Sequence, residues 1–195
     1  MTVYTRVYDS HPQAEGAVRD LEAAGIPSAD VSIIASPHVS GEFEQIDEVT
    51  ATSKGAGVGT ALGGGTGLLV SLGLLAIPGL GPVVAAGWFA ATAAGMVVGA
   101  AAGGLIGALV DAGTSEHDAH VYTEAIRRGG TLVSVRTQVA SAEQIEGILN
   151  RYKPIDPTAR RRDYEKAGWR EFDPTAALYT PSQMEIERIR GRPWR

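Results

Sequence analysis

The sequence predicts an α+β fold in which a small domain is interrupted by a long uncharged insertion. Two observations lead to this prediction. A pattern of helix, glycine and strand occurs once before residue 40 and again after residue 115, and the run Gly55–Val110 between the two copies contains no charged side chain. The predicted organisation is a first half-domain with an acidic connector (1–54), the insertion (55–110), a second half-domain (111–152) and a C-terminal tail (153–195).

The first half-domain is predicted to be a strand, a helix and a strand. Residues Thr2–Tyr8 alternate in polarity and are rich in β-branched and aromatic side chains, which is typical of a strand. Ser10 is suited to cap a helix, whose apolar stripe stops at Gly25. The apolar run Asp30–Ala35 predicts the second strand, and the acidic residues that follow it predict a connector.

The second half-domain repeats this pattern. Ser115 is predicted to cap a helix that ends at Gly129, and Thr131–Thr137 has the composition of a strand. Ser141 with Gln144 forms a capping box for a last helix. Strands joined by crossover helices suit a ferredoxin-like sheet with its helices on one face, in the chain order βαβ…αβα.

The insertion is predicted to be an apolar helical hairpin. Its two arms, residues 55–77 and 83–110, are joined by a turn at Pro78, Gly79, Gly81 and Pro82. At 1.5 Å per residue the arms would reach about 34 Å and about 42 Å, against a hydrocarbon core of about 30 Å. A helical hairpin satisfies its own backbone groups within lipid, so the arms are long enough to span a bilayer.

Small residues recur every four positions in both arms, as in a glycine zipper. This spacing places them in one stripe, where another backbone can approach closely. Glycine inside a helix costs about 1 kcal/mol relative to alanine, so the stripe predicts a helix-packing interface. The predicted interface residues are Gly55, Gly59, Gly63, Gly67, Gly87, Gly95, Gly99, Gly103 and Gly107.

Two environments for the hairpin are compatible with the sequence. The one that we predict is the bacterial inner membrane, with both termini on the cytoplasmic side because positive residues lie only outside the run. The alternative is a water-soluble homo-oligomer in the cytoplasm, a ring or shell that buries the hairpins in a shared core. The predicted partner is in both cases another copy of the chain, with membrane lipid as a further partner in the first. Neither half has the strongly basic face of a nucleic-acid-binding protein.

The tail differs in composition from the rest of the chain. It contains Trp169, Phe172, Tyr179 and Trp194, and disordered segments are poor in aromatic residues. These four side chains are therefore predicted to dock the tail on the domain or on a neighbouring subunit.

The sequence offers little that indicates catalysis. His117 and His120 could share a helix face as metal ligands, but we interpret them as part of a solvated, acidic first turn. The glycines at 63–67 lack the lysine of a phosphate-binding loop. The absence of cysteine excludes disulfides and cysteine-ligated metals. We therefore expect no enzyme activity, no cofactor and no metal. A small-ligand sensor is a third class, supported only by the predicted fold.

The first strand–helix–strand unit, the glycine-rich hairpin with its Pro78–Pro82 turn, and the Gly129–Val133 run together resemble a known family. They are similar to bacterial general-stress proteins of the YflT-like, heat-induced type and to low-temperature-induced relatives with a glycine-rich insert. The resemblance covers about residues 2–152. It implies a stress-linked, non-enzymatic protein that is associated with membranes, and it carries no catalytic residues.

Overall fold

A computed structural model describes residues 2–35, 73–77, 81–86, 88, 104–137, 142–177 and 179–190. Five strands and six α-helices lie within these residues. The strands are β1 (Thr2–Tyr8), β2 (Val31–Ala35), β3 (Gly73–Ile77), β4 (Gly81–Ala86) and β5 (Thr131–Thr137). The helices are α1 (His11–Ala23), α2 (Gly104–Asp111), α3 (Glu116–Arg127), α4 (Ala142–Arg151), α5 (Pro157–Lys166) and α6 (Pro181–Arg190), with a 3-10 turn at Ser28–Asp30.

The strands form one sheet in the order β1-β5-β2-β4-β3, and every neighbouring pair is antiparallel. Val135 of β5 is opposite Tyr4 on one side and opposite Val31 on the other. Strands β1 and β2 are therefore parallel to each other and are separated by β5, which comes much later in the chain. Strands β1, β5 and β2 thus form a split β-α-β unit, whose middle strand comes from the second half-domain.

Helices cover both faces of the sheet. Leu21 of α1 and Leu149 of α4 pack with Val133 on one face. On the other face, Leu109 of α2 and Ile126 of α3 pack with the sheet in a second cluster. The prediction that the helices lie on one face of the sheet is therefore wrong for this chain. The reason is visible in β2, whose five residues are all buried: a continuous apolar strand is typical of a sheet that is covered on both sides.

The predicted helical hairpin is wrong at its centre. Residues Gly73–Ile77 and Gly81–Ala86 are strands β3 and β4, with Leu75 opposite Val83. Gly81 and Pro82, predicted in the turn, are the first residues of β4. A short apolar run fits a strand as well as a helix, and here β2 provides the neighbouring backbone that completes the ladder.

The end of the uncharged run is helical, as predicted for the second arm, but it belongs to the domain core. Leu105, Ala108 and Leu109 of α2 are buried against the sheet, whereas Gly107 is half-buried. No helix in the described part of the chain combines the length and apolar character needed to cross a bilayer. Several predicted positions lie outside the described residues: Pro78, Gly79, Gly55, Gly59, Gly63, Gly67, Gly87, Gly95, Gly99 and Gly103.

The tail begins with an anchored segment. The backbone N–H of Ile155 donates a 2.8 Å hydrogen bond to the carbonyl of Val7, at the outer edge of β1. Asp156 then caps α5 by accepting hydrogen bonds from the backbone of Thr158 and Ala159. Pro157 follows in the first turn, where its missing N–H costs nothing.

Candidate functional site

Helix α3 provides the surface on which the C-terminal segment lies. Its first turn is capped by the hydroxyl of Ser115, which accepts a 3.1 Å hydrogen bond from the N–H of Asp118. Its last turn is closed by Gly129, whose φ of +100° is in the left-handed region. Arg127 and Arg128 lie at this end, where the helix dipole favours positive charge.

A buried carboxylate holds these two arginines. Glu124 is fully buried, and its Oε1 accepts hydrogen bonds from Nε of Arg128 at 2.6 Å and from Nη2 of Arg127 at 2.9 Å. Arg127 is itself only 7% exposed, and its Nε and Nη1 have no hydrogen-bond partner in the part of the chain that the structure describes. Removing the shared carboxylate would leave two buried guanidinium groups without its charge, which is strongly destabilising.

Two aromatic residues of the tail are buried against α3. Phe172 belongs to the core cluster that contains Ile126, and its backbone N–H donates a 3.2 Å hydrogen bond to Nδ1 of His120. Trp169 packs edge-on against Tyr164, with ring centroids 5.6 Å apart and an interplanar angle of 67°. The segment after α5 is thus attached by apolar burial.

Further along the tail, Tyr179 and Glu187 meet the arginine pair. Cζ of Arg128 lies 5.1 Å from the centre of the Tyr179 ring and 4.1 Å from that of Tyr164. Nη1 of Arg128 lies 3.1 Å from Oε2 of Glu187 on α6. We call Glu124, Arg127, Arg128, Tyr164 and Tyr179 the arginine–aromatic cluster. Its two guanidinium charges are balanced by Glu124 and by Glu187 of the tail.

Burial shifts the ionisation of this cluster. It raises the pKa of Tyr164 to about 12, and it also raises the pKa of Tyr179. For Arg128, burial acts to lower the pKa, but the charge and hydrogen bond of Glu124 outweigh it and raise the pKa. The cluster therefore joins neutral phenols to charged guanidinium groups at neutral pH, the combination that suits cation–π contact.

The aromatic and histidine residues singled out in the sequence differ in their burial. Trp169 and Phe172 are buried and Tyr179 is half-buried, whereas Trp194 lies outside the described residues. The interpretation of His120 as a solvated side chain is wrong, because its ring accepts the Phe172 hydrogen bond. His117 is exposed, and a search of the described residues finds no group of three side chains placed to hold a metal ion.

Sequence reasoning missed the ionic centre of the cluster. Glu124, Arg127 and Arg128 stand three and four positions apart on a predicted helix. That spacing is common on solvent-exposed helix faces, so it does not indicate burial. The burial depends on aromatic residues some 40 positions later in the chain, which local sequence patterns do not connect to α3.

The comparisons with known proteins found no match to this chain among family models, curated proteins or solved structures. The resemblance to general-stress proteins therefore remains a hypothesis. The geometry of the cluster is suited to holding one segment of chain against another, through ring stacking and paired charges.

Proposed function

We propose that this chain is a non-enzymatic protein that associates with copies of itself through the uncharged run Gly55–Val110. The main support is the position of β3, which comes from this run and forms the outer strand of the described sheet. Its residues, Gly73–Ile77, include neither a charge nor a proline. An outer strand without these protections readily pairs with a strand of another chain.

The opposite edge of the sheet is better protected. The outer strand there is β1, and the backbone of Ile155 is hydrogen-bonded to it at Val7. Strand β1 also contains Arg6, whose charge opposes the approach of a flat apolar strand. The two edges therefore differ, and we expect association at β3.

An assembly in water is the form that we propose first. Strand β4 pairs with β2 in the domain sheet, with Ile34 opposite Ala85. This pairing is incompatible with a hairpin tip on the far side of a bilayer, since the predicted tip residues Gly81 and Pro82 are part of β4. A membrane-bound form is the second candidate, favoured by the length of the run without charge. The glycine-stripe interface remains part of both proposals.

A stress-linked role is proposed from the resemblance alone. Any ferredoxin-like relationship is limited to the split unit in which β5 lies between β1 and β2. An increase in the amount of the protein after heat or cold shock would support the stress-linked role, and constant amounts would contradict it.

The test of self-association places a charge in the outer strand. Leu75→Lys puts an ammonium group at the centre of β3, and Thr2→Lys puts the same group on the opposite outer strand, at an exposed position. We expect the wild-type protein and Thr2→Lys to sediment as assemblies without detergent, and Leu75→Lys to sediment as a smaller species. A monomeric wild type, or an assembly that Leu75→Lys leaves intact, would contradict the proposal. Sedimentation only with lipid or detergent would favour the membrane-bound form.

A further inference from the structure

Some backbone N–H and C=O groups of β3 have no partner in the described sheet, because β3 has a neighbouring strand on one side only. Successive residues of a strand direct these groups to opposite sides. Residues that lie opposite each other in an antiparallel pair therefore either exchange both hydrogen bonds or exchange none, in alternation. Once one pair is assigned, the assignment passes from strand to strand across the sheet, so the registers determine which groups of β3 are unpaired.

The protected edge of the sheet gives the first assignment. The carbonyl of Val7 accepts the N–H of Ile155, so Val7 directs its backbone groups outward and exchanges no hydrogen bond with Leu132 opposite it. Leu132 therefore exchanges both hydrogen bonds with Ile34 on its other side. Ile34 in turn exchanges none with Ala85 of β4. The backbone groups of Ala85 are thus directed towards β3.

The same alternation then identifies the unpaired groups of β3. Gly73 lies opposite Ala85 and bonds to it, so Leu74 and Ala76 direct their N–H and C=O groups away from β4. Pro82 gives an independent check of this assignment. It has no N–H, and it lies opposite Ala76, where the two strands exchange no hydrogen bond. Both edges of the sheet therefore lead to the same result.

We propose that β3 pairs antiparallel with β3 of a second copy of this chain, with the two-fold axis at Leu75. In this register Leu74 of each copy lies opposite Ala76 of the other, and each pair exchanges both hydrogen bonds. All the outward backbone groups of the described strand are then paired. A shift of one strand by two residues would leave either Leu74 or Ala76 without a partner in β3.

The sequence of β3 is also self-complementary in size about Leu75. Gly73 falls opposite Ile77 of the second copy, and Leu74 falls opposite Ala76. A large residue thus meets a small one on each side of the central pair, and this alternation favours close packing across a contact. The inference rests on the proposed function, since it specifies which strand of the second copy forms the contact at β3.

Disulfide cross-linking measures the register. The chain has no cysteine, so each single variant reports one position. In the proposed register, the Cα atoms of the two residues 75 are about 4.5 Å apart, within the range that a disulfide bridges. Those of the two residues 77 are about 14 Å apart, beyond that range. Under mild oxidation, Leu75→Cys should therefore form dimers at least about tenfold faster than the matched control Ile77→Cys, because only the first brings two thiols to high effective concentration.

A mixture of two variants tests the direction of pairing as well as the register. Gly73→Cys and Ile77→Cys should each form dimers slowly alone, whereas their mixture should form the mixed dimer rapidly, because residues 73 and 77 lie opposite each other in the proposed register. A parallel, in-register pairing would instead cross-link each variant with itself. That result, or a mixture no faster than its components, would overturn the proposal. The mixture also decides the question if Leu75→Cys fails to assemble.

Sedimentation separates failure of this inference from failure of the proposed function. If the wild-type protein assembles and Leu75→Lys releases it, association at β3 is supported. The absence of both fast cross-links would then reject only the pairing of β3 with β3 about Leu75. If the wild type is monomeric, or if Leu75→Lys leaves its assembly intact, the proposed function fails and this inference fails with it.

Discussion

At the scale of single residues, two glycines have opposite roles. A Cβ at Gly130 would lie 2.9 Å from the carbonyl oxygen of Ala125 and 3.0 Å from that of Tyr8. Both are backbone atoms, which have little freedom to move. Gly147, in the middle of α4, has open space around the position of a Cβ. The first glycine is therefore needed for close packing, and the second only weakens its helix.

Alanine at these two positions should change stability in opposite directions. Gly130→Ala forces backbone apart and should lower the free energy of unfolding by about 1–3 kcal/mol. Gly147→Ala should raise it by up to about 1 kcal/mol, because alanine is the better helix former. Urea denaturation of both variants measures the difference. If both variants were less stable than the wild type, the groove lined by Gly147, Asp20 and Arg151 would lack space for a methyl group, and this account of Gly147 would be wrong.

The buried carboxylate of Glu124 should contribute more to the stability of the fold than Arg127 does. Glu124→Gln leaves Arg127 and Arg128 without their shared charge, and should cost about 3–5 kcal/mol of stability. Arg127→Met keeps the Glu124–Arg128 pair and removes two buried nitrogen atoms that have no hydrogen-bond partner in the described part of the chain. We therefore expect it to cost less than half as much. Thermal unfolding measures both, and equal losses would contradict this account of the cluster.

At the scale of elements, α5 links the tail to the domain through Tyr164. The ordinary pKa of tyrosine is near 10, and burial raises that of Tyr164 to about 12 in the folded protein. Between these two values the folded state holds the proton and the unfolded state loses it. The free energy of unfolding must therefore fall as the pH rises through this window, by about 1.4 kcal/mol per pH unit for this group.

Replacing Tyr164 with phenylalanine should remove this part of the alkaline instability. The pKa values of Tyr8 and Tyr122 are also raised by burial, so the variant should keep some pH dependence. Urea denaturation at pH 8, 9, 10 and 11 compares the two proteins. Their stabilities should change in parallel below pH 9, and the wild type should lose more between pH 10 and 11. Parallel curves up to pH 11 would show that Tyr164 ionises freely in the folded protein.

The elements differ in how far the sequence could predict them. Strands β1, β2 and β5 were predictable because their apolar and β-branched residues are bounded by Ser10, Gly25 and Gly129. Strands β3 and β4 were not predictable, because their residues suit a strand or a helix equally. They are strands because β4 pairs with the neighbouring β2 and β3 pairs with β4. Helix α5 has no apolar stripe that would predict it, although Asp156 followed by Pro157 is a typical helix start.

The candidate site was predictable in its aromatic residues and not in its charges. Trp169 and Phe172 indicated docking because large rings are costly to leave in water. Nothing near Glu124 in the sequence indicates that it is buried, because its burial is completed by residues after 160. The glycine stripe at positions such as Gly95 and Gly99 stays a prediction, since these positions lie outside the described residues.

At the scale of the whole molecule, the proposed β3 contact would be symmetric. In an edge-to-edge contact between two β3 strands, both copies use the same surface. Such a contact closes after two copies, so a larger ring or shell needs a second surface, for which the glycine stripe is the proposed one.

The position of β5 between β1 and β2 has a consequence for synthesis on the ribosome. Both N-terminal strands receive their central partner only after residues 131–137 have been made, whereas the uncharged run emerges before them. The growing chain therefore presents its most apolar stretch while the sheet is still open in the middle. Non-local pairing of this kind is slow and exposes the chain to aggregation. The nascent protein should therefore require chaperones until β5 is in place.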